Sequence, residues 1–244
     1  MSPLCLYATC NVYISDRSNG KTTSWLLYAI KAYDMYGIVS HYIRSSRTMI
    51  TQSAVMTIFN VILSNNYITK LTHDKWNSIC YMRLEHKFYL CNRDVSGKII
   101  EQDITGFLMC MSIDKSDEYK SGYQCDTGDL ILFDEFINSF YKRGEFVKFC
   151  DLISTIIRKR PDCKIVMLAN TILRTSEYFD ELECREFIDK AEGGDYIDYE
   201  IPCETGGTTS VHVEILSPRL NEERKLFNAK YFSFHNPLLY SITG

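Results

Sequence analysis

The stretch Asn11-Val12-Tyr13-Ile14-Ser15-Asp16-Arg17-Ser18-Asn19-Gly20-Lys21-Thr22-Thr23 decides the reading of this chain. It runs from an apolar strand through a polar loop to Gly-Lys-Thr, and the helical spacing of Trp25, Leu26, Ala29 and Ile30 follows. A phosphate-binding loop needs this order. The strand fixes where the loop starts, the loop curls so that backbone N–H groups point inward, and the helix adds the positive end of its dipole. In such a loop Ser15 through Thr23 surround the phosphates, Lys21 reaches the β- and γ-phosphates, and the Thr22 hydroxyl holds Mg²⁺. The usual pattern is GxxxxGK[ST], and Ser15 stands where its first glycine belongs. The competing reading is an ordinary strand–turn–helix with a solvated lysine.

Working outward, Gly37 is placed to stop the helix that starts at Lys21. Val39 to Arg44 reads as a second strand, and Met49 to Leu63 returns to helical spacing. Residues 67–120 change character. Ile79 to Leu84 and Phe88 to Cys91 read as paired strands around Glu85-His86-Lys87, and Gly106 to Ile113 as another, so this region is expected to be a β-rich insertion. Leu130-Ile131-Leu132-Phe133 then runs straight into Asp134-Glu135, as a buried parallel strand does when it delivers polar groups to its carboxyl end. Phe146 to Arg160 is amphipathic and ends in Arg158-Lys159-Arg160. Lys164 to Asn170 is a third buried strand with a polar residue at its tip. The acidic residues 177–204 are expected to form a solvated helix and loop. Val211 to Leu216 reads as a late strand, Asn221 to Ala229 as a short charged helix, and Phe232 to Leu239 as an apolar end without closure.

Composition bounds the rest. A chain of 244 residues with 45% hydrophobic content can bury a large α/β core, and no segment is apolar for the length of a membrane span. The first residues show neither a charged leader nor a signal-peptide core, and the sequence shows no internal repeat and no low-complexity linker. Ten cysteines without a C-x-x-C pair read as reduced thiols, and five histidines without ligand spacing argue against a structural metal. A net charge of −4 excludes a global basic field, so any DNA contact must be local.

Asp134-Glu135 supplies what a nucleotide hydrolase needs beside a phosphate loop. Asp134 is the candidate for holding Mg²⁺ through its water shell, and Glu135 for orienting and deprotonating water. Adjacent acids at a strand end are common, so the pair gains meaning only with Gly20-Lys21-Thr22. Asn170 is a candidate for touching the γ-phosphate, or it is a turn-forming asparagine. Arg158 and Arg160 either complement a helix end or, in a ring, reach a neighbour's γ-phosphate as an arginine finger. Arg17 would lie near phosphates or bind a carboxylate.

Taken together, Ser-Asp-Arg-Ser-Asn-Gly-Lys-Thr-Thr resembles the phosphate loop of phage terminases and DNA-packaging ATPases. The order of Tyr42-Ile43-Arg44-Ser45-Ser46-Arg47, Lys87-Phe88-Tyr89-Leu90, Leu132 to Ile137, and Ile157-Arg158-Lys159-Arg160 leading into Ile165 to Asn170 is similar to phi29-like genome-packaging ATPases over residues 10–175. That resemblance implies an ASCE-type P-loop ATPase with a mainly parallel central sheet flanked by helices. It implies ATP and Mg²⁺ as cofactors and a pentameric ring at the portal of a viral procapsid, in the cytoplasm of the infected host cell. The ring would pump double-stranded DNA, with a packaging RNA as a further partner. Arg158 matches the trans-acting finger, and Arg47, with Arg44, the residues that contact DNA. On this reading residues 1–175 are the ATPase core and 176–244 a lid or linker leading toward a C-terminal nuclease-like domain, for which the chain leaves no room. A helicase would bring further motifs, a small-molecule kinase would lack the Glu135 equivalent, and a non-hydrolysing nucleotide-binding module would not need Lys21, Glu135 and Arg158 together.

Overall fold

The structure, a computed structural model, describes residues 6–16, 19–120, 130–137, 141–158, 162–170, 176–203 and 206–217. Its strands are β1 (Cys10–Ser15), β2 (Ser40–Arg44), β3 (Ser78–Met82), β4 (Lys87–Arg93), β5 (Ile99–Gln102), β6 (Leu108–Ser112), β7 (Leu130–Asp134), β8 (Lys164–Asn170), β9 (Tyr196–Pro202) and β10 (Thr208–Ile215). The helices are α1 (Lys21–Tyr36), α2 (Gln52–Thr57), α3 (Asn60–Ser64), α4 (Tyr67–Leu71), α5 (Ser116–Lys120), α6 (Glu145–Ile157), α7 (Glu177–Glu181) and α8 (Arg185–Lys190), with a 3₁₀ turn at Arg47–Ile50.

All the described strands join one sheet in the order β3-β4-β6-β2-β7-β8-β1-β10-β9, with β5 on β4. The middle, from β6 to β10, is parallel, and both margins are antiparallel. Burial explains the parallel part, since a strand covered on both faces can be apolar throughout. Successive residues of β7 enter opposite cores: Leu130 and Leu132 join Trp25, Leu26, Ala29 and Ile30 of α1, while Ile131 and Phe133 join Phe149, Leu152 and Ile156 of α6. β8 lies between β1 and β7.

The helix at Lys21 ends at Tyr36, where Gly37 takes φ 68° and its N–H closes on the Tyr33 carbonyl at 2.8 Å. Met49 to Leu63 is not one helix. Thr51 caps α2 through the Ala54 N–H, and the chain tightens at Phe59, yet Val55, Phe59 and Ile62 still reach one core. The apolar spacing is therefore real although the helix is interrupted.

One expectation needs correction. Residues 177–204 are not a solvated helix and loop: α7 and α8 bury Tyr178, Phe179, Leu182 and Ile188, and β9 turns Ile197, Tyr199 and Ile201 toward the same core while its acidic residues face out. Strands from both sides of residue 175 join one sheet. β10 pairs in parallel with β1, from Cys10 beside Val211 to Ile14 beside Ile215, so the later chain completes the same sheet next to the phosphate loop. The β-rich insertion within residues 67–120 extends the same sheet. The short helix expected at Asn221 to Ala229 and the apolar end lie outside the described residues, as do Arg17, Ser18, Lys159 and Arg160. The described cysteines are free thiols, and no described helix is long and apolar enough to cross a membrane.

Candidate nucleotide-binding site

The parallel strands β1, β8 and β7 end on one edge of the sheet, and a cleft of about 380 Å³ opens there. Its walls are Asn19 to Thr23, Asp134, Glu135 and Leu168 to Asn170. Gly20 joins the loop to α1 at φ 80°, a conformation that costs a side-chain-bearing residue about 1 kcal/mol or more. Among the described residues no side chain caps the start of α1, and no acid stands in its first turn, an end suited to an anion.

Lys21 is only 8% exposed. Its Nζ donates to the Ser15 Oγ at 2.6 Å, to the carbonyls of Ser15 and Asp16 at 3.2 and 3.3 Å, and to Asn170 Oδ1 at 3.4 Å. Burial lowers the pKa of this ammonium to about 8, against the opposing pull of Asp134, Asp16 and Glu135. Ser15, in place of the usual glycine, thus supplies both oxygens to the lysine. Ser15 and Asn170 are register partners on β1 and β8, which is why Asn170 reaches Lys21.

Asp134 is buried, and burial pushes its carboxyl upward; Arg44, Tyr42 and Thr22 offset that. Oδ1 accepts from the Thr22 hydroxyl at 3.0 Å, and Oδ2 accepts from the Tyr42 hydroxyl at 2.9 Å and from Arg44 Nη1 at 3.3 Å. The other Arg44 nitrogen, Nη2, donates to Glu135 Oε2. Burial works against the Arg44 charge, but Tyr42, Asp134 and Glu135 more than offset it and drive its pKa upward. Glu135 sits at φ 53°, left-handed and strained for a non-glycine residue, and its side chain is half exposed at the cleft rim.

Arg44 therefore does not fit its expected place on DNA. Its side chain is 13% exposed and committed to two carboxylates. This role, and that of Tyr42, had no sequence signal of their own. They follow from β2 lying beside β7 with Ile43 opposite Phe133, which brings the next residue, Arg44, level with Asp134. Arg47 is half exposed on the 3₁₀ turn, away from this cleft's walls. Arg158 is also not brought to it. It caps the end of α6 at φ 39°, and β8 must still run its length from Lys164 before reaching the cleft at Asn170, about 20 Å at strand rise. The structure thus gathers Lys21, Thr22, Asp134, Glu135 and Asn170, and leaves Arg47 and Arg158 elsewhere.

The donor set fits a nucleotide triphosphate with a hard divalent cation. A buried lysine and uncapped helix N–H groups suit phosphate, and a hydroxyl paired with one carboxylate suits Mg²⁺.

No family model matches the chain, and no curated protein matches it. Solved structures do. The N-terminal domain of the DNA packaging ATPase from bacteriophage phi29 superposes with a TM-score of 0.61 at 20% identity, covering 87% of this chain and 91% of that one. A chain of the phi29 viral genome packaging motor assembly gives 0.59 at 19% identity, over 96% of this chain and 63% of that one. The large terminase ATPase domain of Thermus phage P74-26 gives 0.54 at 15% identity, over 96% and 86%. The resemblance seen in the motifs is met by the three-dimensional arrangement: this chain has the fold of the phage DNA-packaging and terminase ATPase domains.

Proposed function

We propose that this protein is the ATP-hydrolysing motor subunit that packages double-stranded viral DNA into a procapsid. The observation that carries the reading is the convergence of Lys21, Thr22, Asp134, Glu135 and Asn170 on one sheet edge, in a fold shared with packaging ATPases. ATP and Mg²⁺ are its cofactors. Lys21 binds the β- and γ-phosphates, and Thr22 and Asp134 hold the cation. When bound, Mg²⁺ neutralises charge on the phosphate oxygens. Glu135 orients a water and takes its proton at a carboxylate oxygen, a contribution of roughly 10²–10⁴-fold. Arg44 holds one carboxylate oxygen, Oε2, which leaves Oε1 for the water.

Arg158 completes the site of a neighbouring subunit, because its own cleft is a strand length away. That requires a ring, which we take to be pentameric, docked at the procapsid portal directly or through a packaging RNA in the infected cell. Arg47 contacts the DNA backbone.

The test is ATP turnover by the full chain with and without duplex DNA, run alongside sizing with and without a non-hydrolysable ATP analogue. Turnover that rises with DNA, and a ring that forms with the analogue, are expected. A ring that binds ATP without hydrolysing it would make this a nucleotide-binding module instead.

A further inference from the structure

A second cleft, of about 650 Å³, opens between Arg47, Gln52 and Ser53 on one side and Tyr81, Arg83 and His86 on the other. It lies on the same edge of the sheet as the nucleotide cleft. Arg47 follows the carboxyl end of β2, and the turn before β4 lies by the carboxyl end of β6, tied there by the Cys110 N–H donating to the His86 carbonyl at 2.7 Å. In a chain of net charge −4, two of its walls are arginines.

Each basic group is held differently. The backbone of Arg47 is fixed by its N–H donating to both oxygens of Asp114 at 3.0 and 3.1 Å, but its guanidinium meets only Glu118, at 3.3 Å. Both partners are about half exposed, at 48% and 53%, and such pairs contribute about 0–1 kcal/mol. Glu118 also accepts from Lys115, so losing Arg47 does not leave it bare. Arg83 is exposed and has no hydrogen bond or ion pair among the described residues. His86 shares a hydrogen bond of 3.1 Å between Nδ1 and the Tyr81 hydroxyl. Its ring is pushed below its ordinary pKa by burial, then by Arg47 and Arg83, with Glu118 opposing.

The geometry points to this cleft as a phosphodiester site for duplex DNA, in which Arg47 and Arg83 each hold a backbone phosphate and Glu118 is the resident carboxylate that the phosphate at Arg47 displaces. The inference rests on the motor reading and extends the DNA contact from Arg47 to the β3–β4 turn. Arginine is suited to this because its planar fork meets phosphate oxygens with two parallel N–H donors. Gln52 and Ser53 add neutral donors. Phosphate contacts of this kind make binding sensitive to salt.

Fluorescence anisotropy of a labelled duplex against the full chain, over a salt series, tests this. Arg83→Ala should weaken binding about 5- to 10-fold at low salt and flatten the log–log salt slope by about 0.9, one phosphate's share. Glu118→Gln should tighten binding, since it removes the competing carboxylate. Inorganic phosphate should compete no better than chloride at matched ionic strength. Wild-type affinity and slope for Arg83→Ala, with an unchanged unfolding midpoint, would overturn the site. So would weaker binding by Glu118→Gln, and selective competition by inorganic phosphate would make the cleft a free-anion site instead. Hydrolysis by the wild-type chain is read separately: a chain that hydrolyses ATP while Arg83→Ala leaves DNA binding intact loses the cleft and keeps the motor.

Discussion

In the cleft over β1, β8 and β7, Lys21 and Asp134 are buried and already bonded, Lys21 to the loop and Asn170, Asp134 to Thr22, Tyr42 and Arg44, while Glu135 at the rim is bonded to Arg44. In the cleft beside the β3–β4 turn, Arg83 has no partner among the described residues and Arg47 has one exposed glutamate. The first arrangement is expensive to disturb, because a buried charge stripped of its partner costs several kcal/mol. The second is cheap to disturb and free to exchange partners. Under the proposed function the first serves chemistry and the second a reversible grip.

The largest effect that would break this contrast concerns a residue in neither cleft. Arg158→Ala should abolish hydrolysis while ATP still binds, a loss of about 10³–10⁵ in rate for an arginine finger. Mixing it with Glu135→Gln should restore some turnover, because adjacent subunits can then pair an intact Glu135 with an intact Arg158. Mixed rings that stay inactive would remove Arg158 from the site. Next in size, Arg44→Ala should destabilise the fold by about 3 kcal/mol, because it leaves Asp134 buried without its cation. Chemical denaturation measures this, and a loss under 1 kcal/mol would show that Tyr42 and Thr22 suffice.

The pH dependence of nucleotide binding sharpens the same comparison. Bound phosphate favours the Lys21 ammonium, whose pKa in the free protein is lowered to about 8. Above that pH the free protein has lost the proton that binding requires, so the nucleotide Kd should rise, approaching about tenfold per pH unit. Lys21→Arg, if it binds at all, should show no such rise. The sign for stability is opposite: with a folded pKa of about 8 and an unfolded value near 10.4, the unfolded state holds more protons in that window, so stability increases with pH across it. Smallest of the four, Tyr42→Phe should cost about 1 kcal/mol of stability through the lost hydrogen bond to Asp134.

Much of the nucleotide cleft was legible in the sequence because its parts are local. Gly20-Lys21-Thr22 carries its own loop geometry, and Asp134-Glu135 sits where an apolar run stops. The partners of those carboxylates were not legible. Arg44 looks like any basic residue at a strand end until β2 is seen to lie beside β7, and strand order is a long-range fact. The alternation of Ile197, Tyr199 and Ile201 was visible, but the acidic residues between them hid an edge strand that buries one face only. The place of β10 beside β1 needed the whole sheet, since about 200 residues separate the two strands in sequence.

The account stands most directly on Glu135. Turnover and nucleotide affinity should be measured on Glu135→Gln and wild type under identical conditions. The glutamine keeps the shape of the side chain and a carbonyl oxygen toward Arg44, but cannot take a proton from water. Nucleotide affinity close to wild type with turnover lowered by about 10²-fold or more is the predicted result. Turnover near the wild-type rate would contradict the assignment of Glu135 as the base and, with it, the reading of this cleft as a site of ATP hydrolysis.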